Sequence, residues 1–316
     1  MLPVLHVLCA ASRHTTADAV QHAANGCLNV FLDIGANVGV HGRFLLEPNQ
    51  YPKAKYKPIF DRIFGTDRNR SATCALEFEP NPAHAARHKQ LESAYSNLGW
   101  RYHFFPFGVA AVAGEMVFHE NPNTFNSRKM HDWAFGINNL EPNNPNNRPI
   151  RVPAVGFHDI LEQVHRRKLP DGTRRQPKVV VKMDIESAEF SVLPHVMMRG
   201  SLCKVVDLIT VEFHPSFAPI QKTNWSSRAA ATAAEEVLKT TLIDGARGGG
   251  CKVEFSSLDD ESYRHDGIPL PGLEMERRLD HSDYATSMLT SRRVAWYTLV
   301  IMSAVGVALV VRRLSA

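Results

Sequence analysis

Short apolar runs, each bounded by polar or turn-forming residues, recur along the first 255 positions of the chain. Asn29–Ile34 (NVFLDI), Thr73–Phe78 (TCALEF) and Lys178–Asp184 (KVVVKMD) have the length and composition of strands that are buried in a parallel sheet. Helical patterns follow the first run at Val38–Leu46 and the third run at Ala188–Arg199. Strands that alternate with helices predict an α/β domain with a doubly wound, mostly parallel sheet.

The other elements are predicted from shorter patterns. Asn81-Pro82 predicts a helix start, with Asn as the N-cap and Pro in the first turn. Asn121–Pro149 contains nine Asn and four Pro, so it is predicted to be a loop, with a mobile lid as its possible role. The remaining predicted strands are Tyr102–Phe107, Met116–His119, Arg151–Val155, Asp207–Phe213 and Cys251–Phe255, and the remaining helices are Asp159–Arg167 and Ser226–Leu242.

Near the end of the chain, Val294–Val311 carries no charge and no proline. As a helix it would be about 27 Å long, close to the thickness of bilayer hydrocarbon. A single transmembrane helix is therefore predicted, and a buried core helix is the alternative. Arginine pairs flank both sides, so positive charge does not determine the orientation. The predicted domains are a covering segment (1–28), the α/β domain (29–255), a polar linker (256–293), the membrane helix (294–311) and a tail (312–316).

The first twelve residues, MLPVLHVLCAAS, contain an apolar stretch of about ten residues, broken by Pro3 and His6, which is too short to span a membrane. We expect them to begin a helix that covers the sheet, and a truncated signal peptide is the alternative. Without a convincing signal, the body is expected to face the cytosol, with reduced cysteines. The alternative is a lumenal body, with sugars on the sequons at Asn69 or Asn224 and with disulfides.

Charge and cysteine spacing exclude two classes of function. The net charge is +4, but four of the arginines lie in the last 25 residues, which contain no acid; the other 32 basic residues balance the 32 acidic ones. The body is therefore neutral and lacks the basic surface that nucleic-acid binding requires. The five cysteines show no paired Cys or His spacing, so no zinc site is expected, and no other metal is predicted.

The first predicted strand leads directly into the segment Asp33–Gly39, with glycine at both Gly35 and Gly39. A glycine turn between the first strand and the next helix is where doubly wound folds bind nucleotides. Asn37 stands at the position of the middle glycine of the dinucleotide fingerprint, which disfavours NAD and FAD. A ligand without a phosphate at the turn fits better, and S-adenosylmethionine is the common one. Asp33, Gly35, Asn37 and Gly39 are therefore predicted to bind this cofactor.

The second predicted strand ends at an acidic residue, Glu79, directly before the turn Pro80–Pro82. An acid at this position can accept hydrogen bonds from the two hydroxyls of a ribose. Glu79 is therefore predicted to bind the cofactor, while Glu77, two residues earlier, lies deeper on the same face. The alternative role of Glu79 is to cap the following helix.

Four chemically active residues are predicted to meet at the carboxyl edge of the sheet. Lys182 and Asp184 share one face of their strand, and Glu212 and His214 share one face of the next. Open α/β sheets bind their ligands at this edge. A carboxylate or imidazole there could take the proton from an attacking hydroxyl, so the four are candidate catalytic residues. The alternative is a structural ion pair, because a buried lysine needs a partner.

Three segments, Asp33–Gly39, Phe78–Pro82 and Lys182–Glu189, resemble in order and spacing the FkbM family of S-adenosylmethionine-dependent methyltransferases. The family usually has K-x-D-x-E-G-x-E in the third segment, and this chain has Ser187 in place of the glycine. The resemblance covers roughly Asn29–His214. It implies a class I, Rossmann-like methyltransferase fold and methylation of an oxygen, often on a sugar or natural product. It also implies that Asn49–Ser71 is an insertion, which we expect to shape the substrate mouth.

Together these observations predict a membrane-anchored O-methyltransferase that acts on a hydroxyl of a sugar, lipid or small molecule. A non-catalytic membrane adaptor that retains the fold is the main alternative, which Ser187 and the anchor permit. A nicotinamide oxidoreductase is disfavoured by Asn37.

Overall fold

The computed structural model describes residues 18–120, 135–140, 142–215, 227–248, 250–263 and 266–271. The chain divides into two compact units; the first ends at Ile268 and the second begins at Pro269. Of the second unit only residues 269–271 are described. The predicted membrane helix 294–311, most of the linker before it and the tail after it therefore lie outside the described residues, as do residues 1–17.

Strands and helices alternate along the first unit, as the apolar pattern predicted. The strands are β1 (Asn29–Ile34), β2 (Thr73–Phe78), β3 (Arg101–Phe105), β4 (Gly108–Ala110), β5 (Gly114–His119), β6 (Pro149–Gly156), β7 (Lys178–Met183), β8 (Leu208–Val211) and β9 (Glu254–Ser256). The helices are α1 (Val40–Leu46), α2 (Lys57–Phe64), α3 (Ala85–Asn97), α4 (Phe157–His165), α5 (Glu189–Met198), α6 (Ser201–Val205) and α7 (Ser227–Arg247), with a 3-10 turn at Pro82–His84 before α3.

The main sheet has the strand order β3-β2-β1-β7-β8-β9, and its neighbouring strands are parallel. The predicted doubly wound parallel sheet is therefore confirmed. The chain builds outward from β1 to β3 and then returns to place β7 on the other side of β1. The strand order thus reverses between β1 and β7, and a crevice opens there at the carboxyl edge of the sheet, where such folds bind ligands.

Two of the predicted strands, Met116–His119 and Arg151–Val155, do not join the main sheet but form a second one with β4, which was not predicted. β5 and β6 pair antiparallel, and β4 pairs parallel with β6, which gives a separate sheet of order β4-β6-β5. Phe118 and Val152 from this sheet pack with Phe135 in a small apolar cluster. β3 ends at Phe105, two residues before the predicted end, because Pro106 has no N–H to donate to a neighbouring strand.

The main sheet is buried on both faces. One face packs against α4 and α5 through branched side chains such as Ile160 and Val192, which are fully buried. On the other face, Phe31 of β1 contacts Phe60 of α2 edge to face, with ring centroids 4.9 Å apart. The segment Asn49–Ser71, which was expected to shape the substrate mouth, therefore contributes a helix that covers the sheet.

Described residues near both ends of the first unit pack against its core. Residues 18–24 are helical, and Val20 and Ala24 are fully buried in the main core. Asp260 accepts hydrogen bonds from the backbone N–H groups of Lys55 and Tyr56, so part of the predicted linker is held on the body. Within the described residues, none of the helices combines the length and the apolar character that a bilayer crossing requires.

Candidate functional site

The turn after β1 has a backbone that requires its glycines. Gly35 and Gly39 have φ values of 83° and 76°, in the left-handed region that favours glycine. A Cβ at Gly35 would collide with the carbonyl oxygen of Asp184, and one at Gly39 would collide with the hydroxyl of Tyr102. Asn37 also has a positive φ, 49°, which asparagine tolerates better than most residues. The turn is therefore pressed closely against the end of β7.

Glu79 connects the end of β2 to this turn. Its Oε2 accepts a hydrogen bond of 2.8 Å from the backbone N–H of Asn37, and its Oε1 accepts one of 2.7 Å from that of Asn81. Burial raises the pKa of Glu79 to about 7, although both N–H groups act to lower it. Asn81 caps the next turn with its own side chain, through Ala83 N–H, so capping does not depend on Glu79. Each carboxylate oxygen keeps lone pairs for a ligand.

His88 holds the turn from the side of α3, a contact that the sequence did not predict. Its Nε2 lies 2.7 Å from the carbonyl oxygen of Asn37, and its Nδ1 lies 2.7 Å from the hydroxyl of Tyr102. Burial lowers the pKa of His88 to about 4, so the ring is neutral at physiological pH. The contact joins residues 51 positions apart, and a lone histidine in a helix carries no local signal of it.

Asp33 and Lys182 lie side by side beneath the turn. Asp33 is fully buried, 3.5 Å from Nζ of Lys182 and 3.5 Å from Nδ1 of His41. Nζ of Lys182 donates to the carbonyl oxygen of Gly35 at 2.7 Å and to Oδ2 of Asp184 at 3.1 Å. Burial alone would lower the pKa of Lys182, but Asp184 and Asp33 raise it well above its usual value. Lys182 is therefore a permanent cation that ties the turn to the end of β7.

The structure brings Asp184, Glu212 and His214 together at the end of β7 and β8. Nε2 of His214 lies 3.4 Å from Glu212 and 3.8 Å from Asp184, and its Nδ1 lies 3.4 Å from Glu189. Burial acts to lower the pKa of His214, but the bonds to Glu189 and Glu212 raise it to about 11. The imidazole is thus charged and cannot serve as a base at neutral pH. The carboxylates remain the candidates for that role.

The backbone after β7 takes an unusual course through Glu186 and Ser187. Both have positive φ, 52° and 83°, which is costly for residues with a side chain. Ser187 stands where glycine is usual and adopts the glycine conformation, and its Oγ accepts a hydrogen bond of 3.0 Å from Asn138. This course directs Glu186 to the cavity described next. Burial raises the pKa of Glu186 to about 8, which is suited to a base near neutral pH.

A cavity that is partly open to solvent lies at this edge of the sheet; the empty space in it, open solvent included, is about 590 Å³. Of the predicted site residues, Gly35, Asn37, Glu79 and Asp184 line it, whereas Asp33, Gly39, Lys182, Glu212 and His214 are not among its lining residues. The small second sheet supplies an apolar wall that the sequence did not predict. The other lining residues are Phe78, Pro80, His84, Val109, Met116, Phe118, Phe135, Ile185, Glu186 and Ala188.

Among the residues that the structure describes, two groups of side chains have the spacing of metal ligands. Asp184, Glu186 and His214 offer ligand atoms within 4.8 Å of one another, and so do Glu212, Asp259 and Glu261. A metal would have to displace the proton that the neighbouring carboxylates hold on His214. The expectation of a metal-free site therefore stays a prediction.

Comparison with known proteins matches the chain to a family. A family model described as the methyltransferase FkbM domain matches residues 33–241. The match begins at Asp33 and covers the glycine turn, Glu79 and the segment from Lys182 to His214. No curated protein and no solved structure matches the chain significantly.

Proposed function

Because the chain belongs to the FkbM methyltransferase family, we propose that it transfers a methyl group from S-adenosylmethionine to a hydroxyl oxygen of a sugar, lipid or small molecule. Membership of the family establishes that the chain is a methyltransferase. The cofactor and the hydroxyl acceptor are supported by one observation: the glycine turn, Glu79 and Asp184 line the same cavity.

The residues of the cavity fit the cofactor. Oδ1 of Asn37 is buried and accepts no hydrogen bond from any residue that the structure describes, so a ligand N–H could satisfy it. Glu79 would accept hydrogen bonds from the ribose hydroxyls. Val109, Met116 and Phe118 would provide the apolar surface that an adenine ring requires. When bound, S-adenosylmethionine supplies a methyl group that is already activated on a sulfonium.

The chain's own contribution is alignment and proton removal. Asp184 and Glu186 line the cavity, and either carboxylate could accept the proton that the attacking hydroxyl loses as its oxygen–carbon bond forms. Lys182 and His214 stay protonated beside Asp184, 3.1 Å and 3.8 Å from its carboxylate oxygens. They hold the carboxylates in place and keep like charges apart.

Mass spectrometry can test the transfer directly. Membranes that contain the full chain would be extracted in detergent and incubated with isotope-labelled methyl donor. We expect one class of hydroxyl compound to gain a labelled methyl group, and expect the Asp184→Asn variant to transfer it about 10²-fold more slowly or worse. If the wild-type chain binds the cofactor but labels nothing in glycan, lipid and small-molecule pools, the chain is a non-catalytic adaptor and the proposed enzymatic function is wrong.

We also propose that residues 294–311 anchor this methyltransferase in a membrane. The support is composition: the segment has bilayer length, no charge, and Trp296 and Tyr297 near one end, where aromatic residues favour the interface. A carbonate wash should release a chain that ends at Ser291 from the membranes, whereas the full chain should stay in the membrane pellet. If the shortened chain still pellets with the membranes, the anchor lies elsewhere.

A further inference from the structure

Two disulfide bonds cross-link the body, and neither lines the cavity. Cys27, before β1, is bonded to Cys74 of β2, with the Cα atoms 5.9 Å apart. Cys203 of α6 is bonded to Cys251, before β9, with the Cα atoms 4.6 Å apart. Both Cα separations lie in the range that a disulfide spans without backbone movement. Four of the five cysteines are thus paired, and Cys9 lies outside the described residues.

These bonds indicate the compartment in which the body folds. Disulfides persist in the secretory lumen and outside the cell, whereas cytosolic reductants keep thiols reduced. Each bond joins residues 47 or 48 positions apart, so it cross-links separate elements of the fold. Neither pair has the Cys-x-x-Cys spacing of redox enzymes. The bonds are therefore structural, and they favour the lumenal body over the cytosolic one that was expected.

A sequon, Asn69-Arg70-Ser71, lies on the surface between α2 and β2. Asn69 and Ser71 are both exposed, and Oδ1 of Asn69 accepts hydrogen bonds from the N–H and the hydroxyl of Ser71. Nδ2, the atom that a glycan would join, donates to no acceptor in the described part of the chain. Arg70 lies over the ring of Trp100 at 4.4 Å, which fixes the middle of the sequon without covering its ends.

This sequon lies at the opposite edge of the sheet from the cavity. Ala72 follows it, and its carbonyl oxygen accepts hydrogen bonds from Leu28 and Asn29 at the amino ends of the strands. The six residues of β2 then separate it from Glu79 at the carboxyl edge. At about 3.3 Å per residue the separation is roughly 20 Å. A glycan on Asn69 would therefore leave the cavity open.

We propose that Asn69 carries an N-linked oligosaccharide and that the body folds in the lumen of the secretory pathway. In the transfer, Nδ2 of Asn69 bonds to C1 of the sugar, the bond from that C1 to the diphosphate of a lipid-linked oligosaccharide breaks, and one proton leaves. At each disulfide, two thiols give two protons and two electrons to the disulfide of a lumenal oxidoreductase, which becomes a dithiol. The inference stands independently of the methyl transfer.

The modification is tested on the full-length protein purified from its membranes. An amidase that releases N-glycans is applied in ¹⁸O-water, and the peptide containing residue 69 is measured by mass spectrometry. We expect Asn69 to become an ¹⁸O-labelled aspartate. A second sample is alkylated before any reductant is added, and we expect peptides linked through Cys27–Cys74 and Cys203–Cys251. Unmodified Asn69, or free alkylated thiols at these four positions, overturns the proposal.

A matched pair of variants separates the glycan from an effect on folding. Ser71→Ala removes the hydroxyl that the sequon requires, whereas Ser71→Thr keeps it. Each variant is made as the full chain in cells, and its electrophoretic mobility is compared before and after glycosidase treatment. The treatment should shift Ser71→Thr by the same amount as wild type. It should shift Ser71→Ala by less, the difference being one glycan. Asn224→Gln serves as the control at the second sequon. Equal shifts for the two Ser71 variants would contradict the assignment of Asn69.

Discussion

At the scale of single residues, Glu79 is the clearest example of a side chain whose environment sets its chemistry. It is buried between two loops, and burial raises its pKa to about 7. The ionised carboxylate only accepts hydrogen bonds, at both oxygens, whereas protonation turns one oxygen into a donor. The protonation state of one residue is therefore expected to control how tightly the cofactor binds.

We expect the affinity for S-adenosylmethionine to fall as the pH is lowered through about 7, because protonation of Glu79 removes acceptors for the ribose hydroxyls. Above pH 7 the Glu79 carboxylate is ionised and gives no further gain in affinity. Glu79→Ala should lose about 1.5–3 kcal/mol of binding free energy, or roughly tenfold or more in affinity, at pH 8. Because Glu186 in the same cavity also titrates, with a pKa of about 8, the mutant should keep a pH dependence that is smaller than that of wild type. Calorimetry at pH 6 and pH 8 measures both. A mutant whose affinity changes with pH as much as that of wild type, or one that binds as tightly as wild type, would contradict the assignment.

Asp184 belongs both to the lining of the cavity and to the cluster of charged residues at the ends of β7 and β8. It lines the cavity, and its side chain contacts Lys182 and lies near His214. Asp184→Asn keeps the shape and removes the charge, so turnover should fall about 10²-fold or more while the fold persists. Asp207→Asn is the control, since Asp207 lies at the opposite edge of the sheet, beside Lys178. An unchanged rate in a well-folded Asp184→Asn protein would place the chemistry elsewhere.

At the scale of elements, the turn between β1 and α1 is shaped by how closely β7 approaches it. A Cβ on Gly35 would meet backbone, which cannot rotate away as a side chain can. Gly35→Ala should therefore displace the turn and lower cofactor affinity roughly tenfold or more. Gly99→Ala is the control, because Gly99 has a similar φ of 68° and nothing within 4 Å of its added Cβ. Equal affinities for the two variants, measured by calorimetry, would rule out close approach as the reason for the glycine.

The helix α2 was not predicted from the sequence, yet it contributes to the core. Phe60 is fully buried between Phe31 and Phe64. Phe60→Ala should lower the free energy of unfolding by about 3–5 kcal/mol, from lost burial and a cavity. Val237→Ala on the exposed face of α7 should change it by less than about 0.5 kcal/mol. Denaturant unfolding measures both, and a small effect at Phe60 would mean that α2 is only loosely attached to the sheet.

At the scale of the whole molecule, the first unit is closed by contacts between residues far apart in the chain. The two disulfides join α6 to the end of the sheet and β2 to the segment before β1. Asp266 is buried against the guanidinium groups of Arg43 and Arg87, and the hydroxyl of Tyr51 donates to it. The segment around Asp266, which has few apolar residues, is thus part of the folded first unit.

Removing Asp266 should destabilise the whole first unit. Asp266→Ala removes one acidic partner of buried Arg43 and keeps its pair with Glu47, so we expect a loss of about 3 kcal/mol, near the low end for a broken buried pair. Glu254→Ala removes an exposed partner of Arg62 and should cost less than about 1 kcal/mol. Unfolding with the disulfides intact measures the difference. Equal effects would show that the segment around Asp266 is not held as the structure places it.

The sequence by itself determined the parallel sheet and the residues at its carboxyl edge. β1 and β2 have the bounds that the apolar runs predicted, and Gly35, Asn37, Glu79 and Asp184 line one cavity. These features are local, because a strand buried on both faces must be apolar throughout, and a parallel arrangement places all carboxyl ends at one edge. The family resemblance, which rests on the same residues, is confirmed by the family model.

Only the tertiary structure decided which distant residues meet. It separated β4, β5 and β6 into a second sheet, formed a helix in the insertion, brought His88 to the turn and paired four cysteines. It also placed Glu186 in the cavity through a left-handed backbone that serine at position 187 does not favour. Each of these depends on contacts between residues far apart in the chain. Their energies come from burial and pairing across the fold, and no local pattern of residues encodes them.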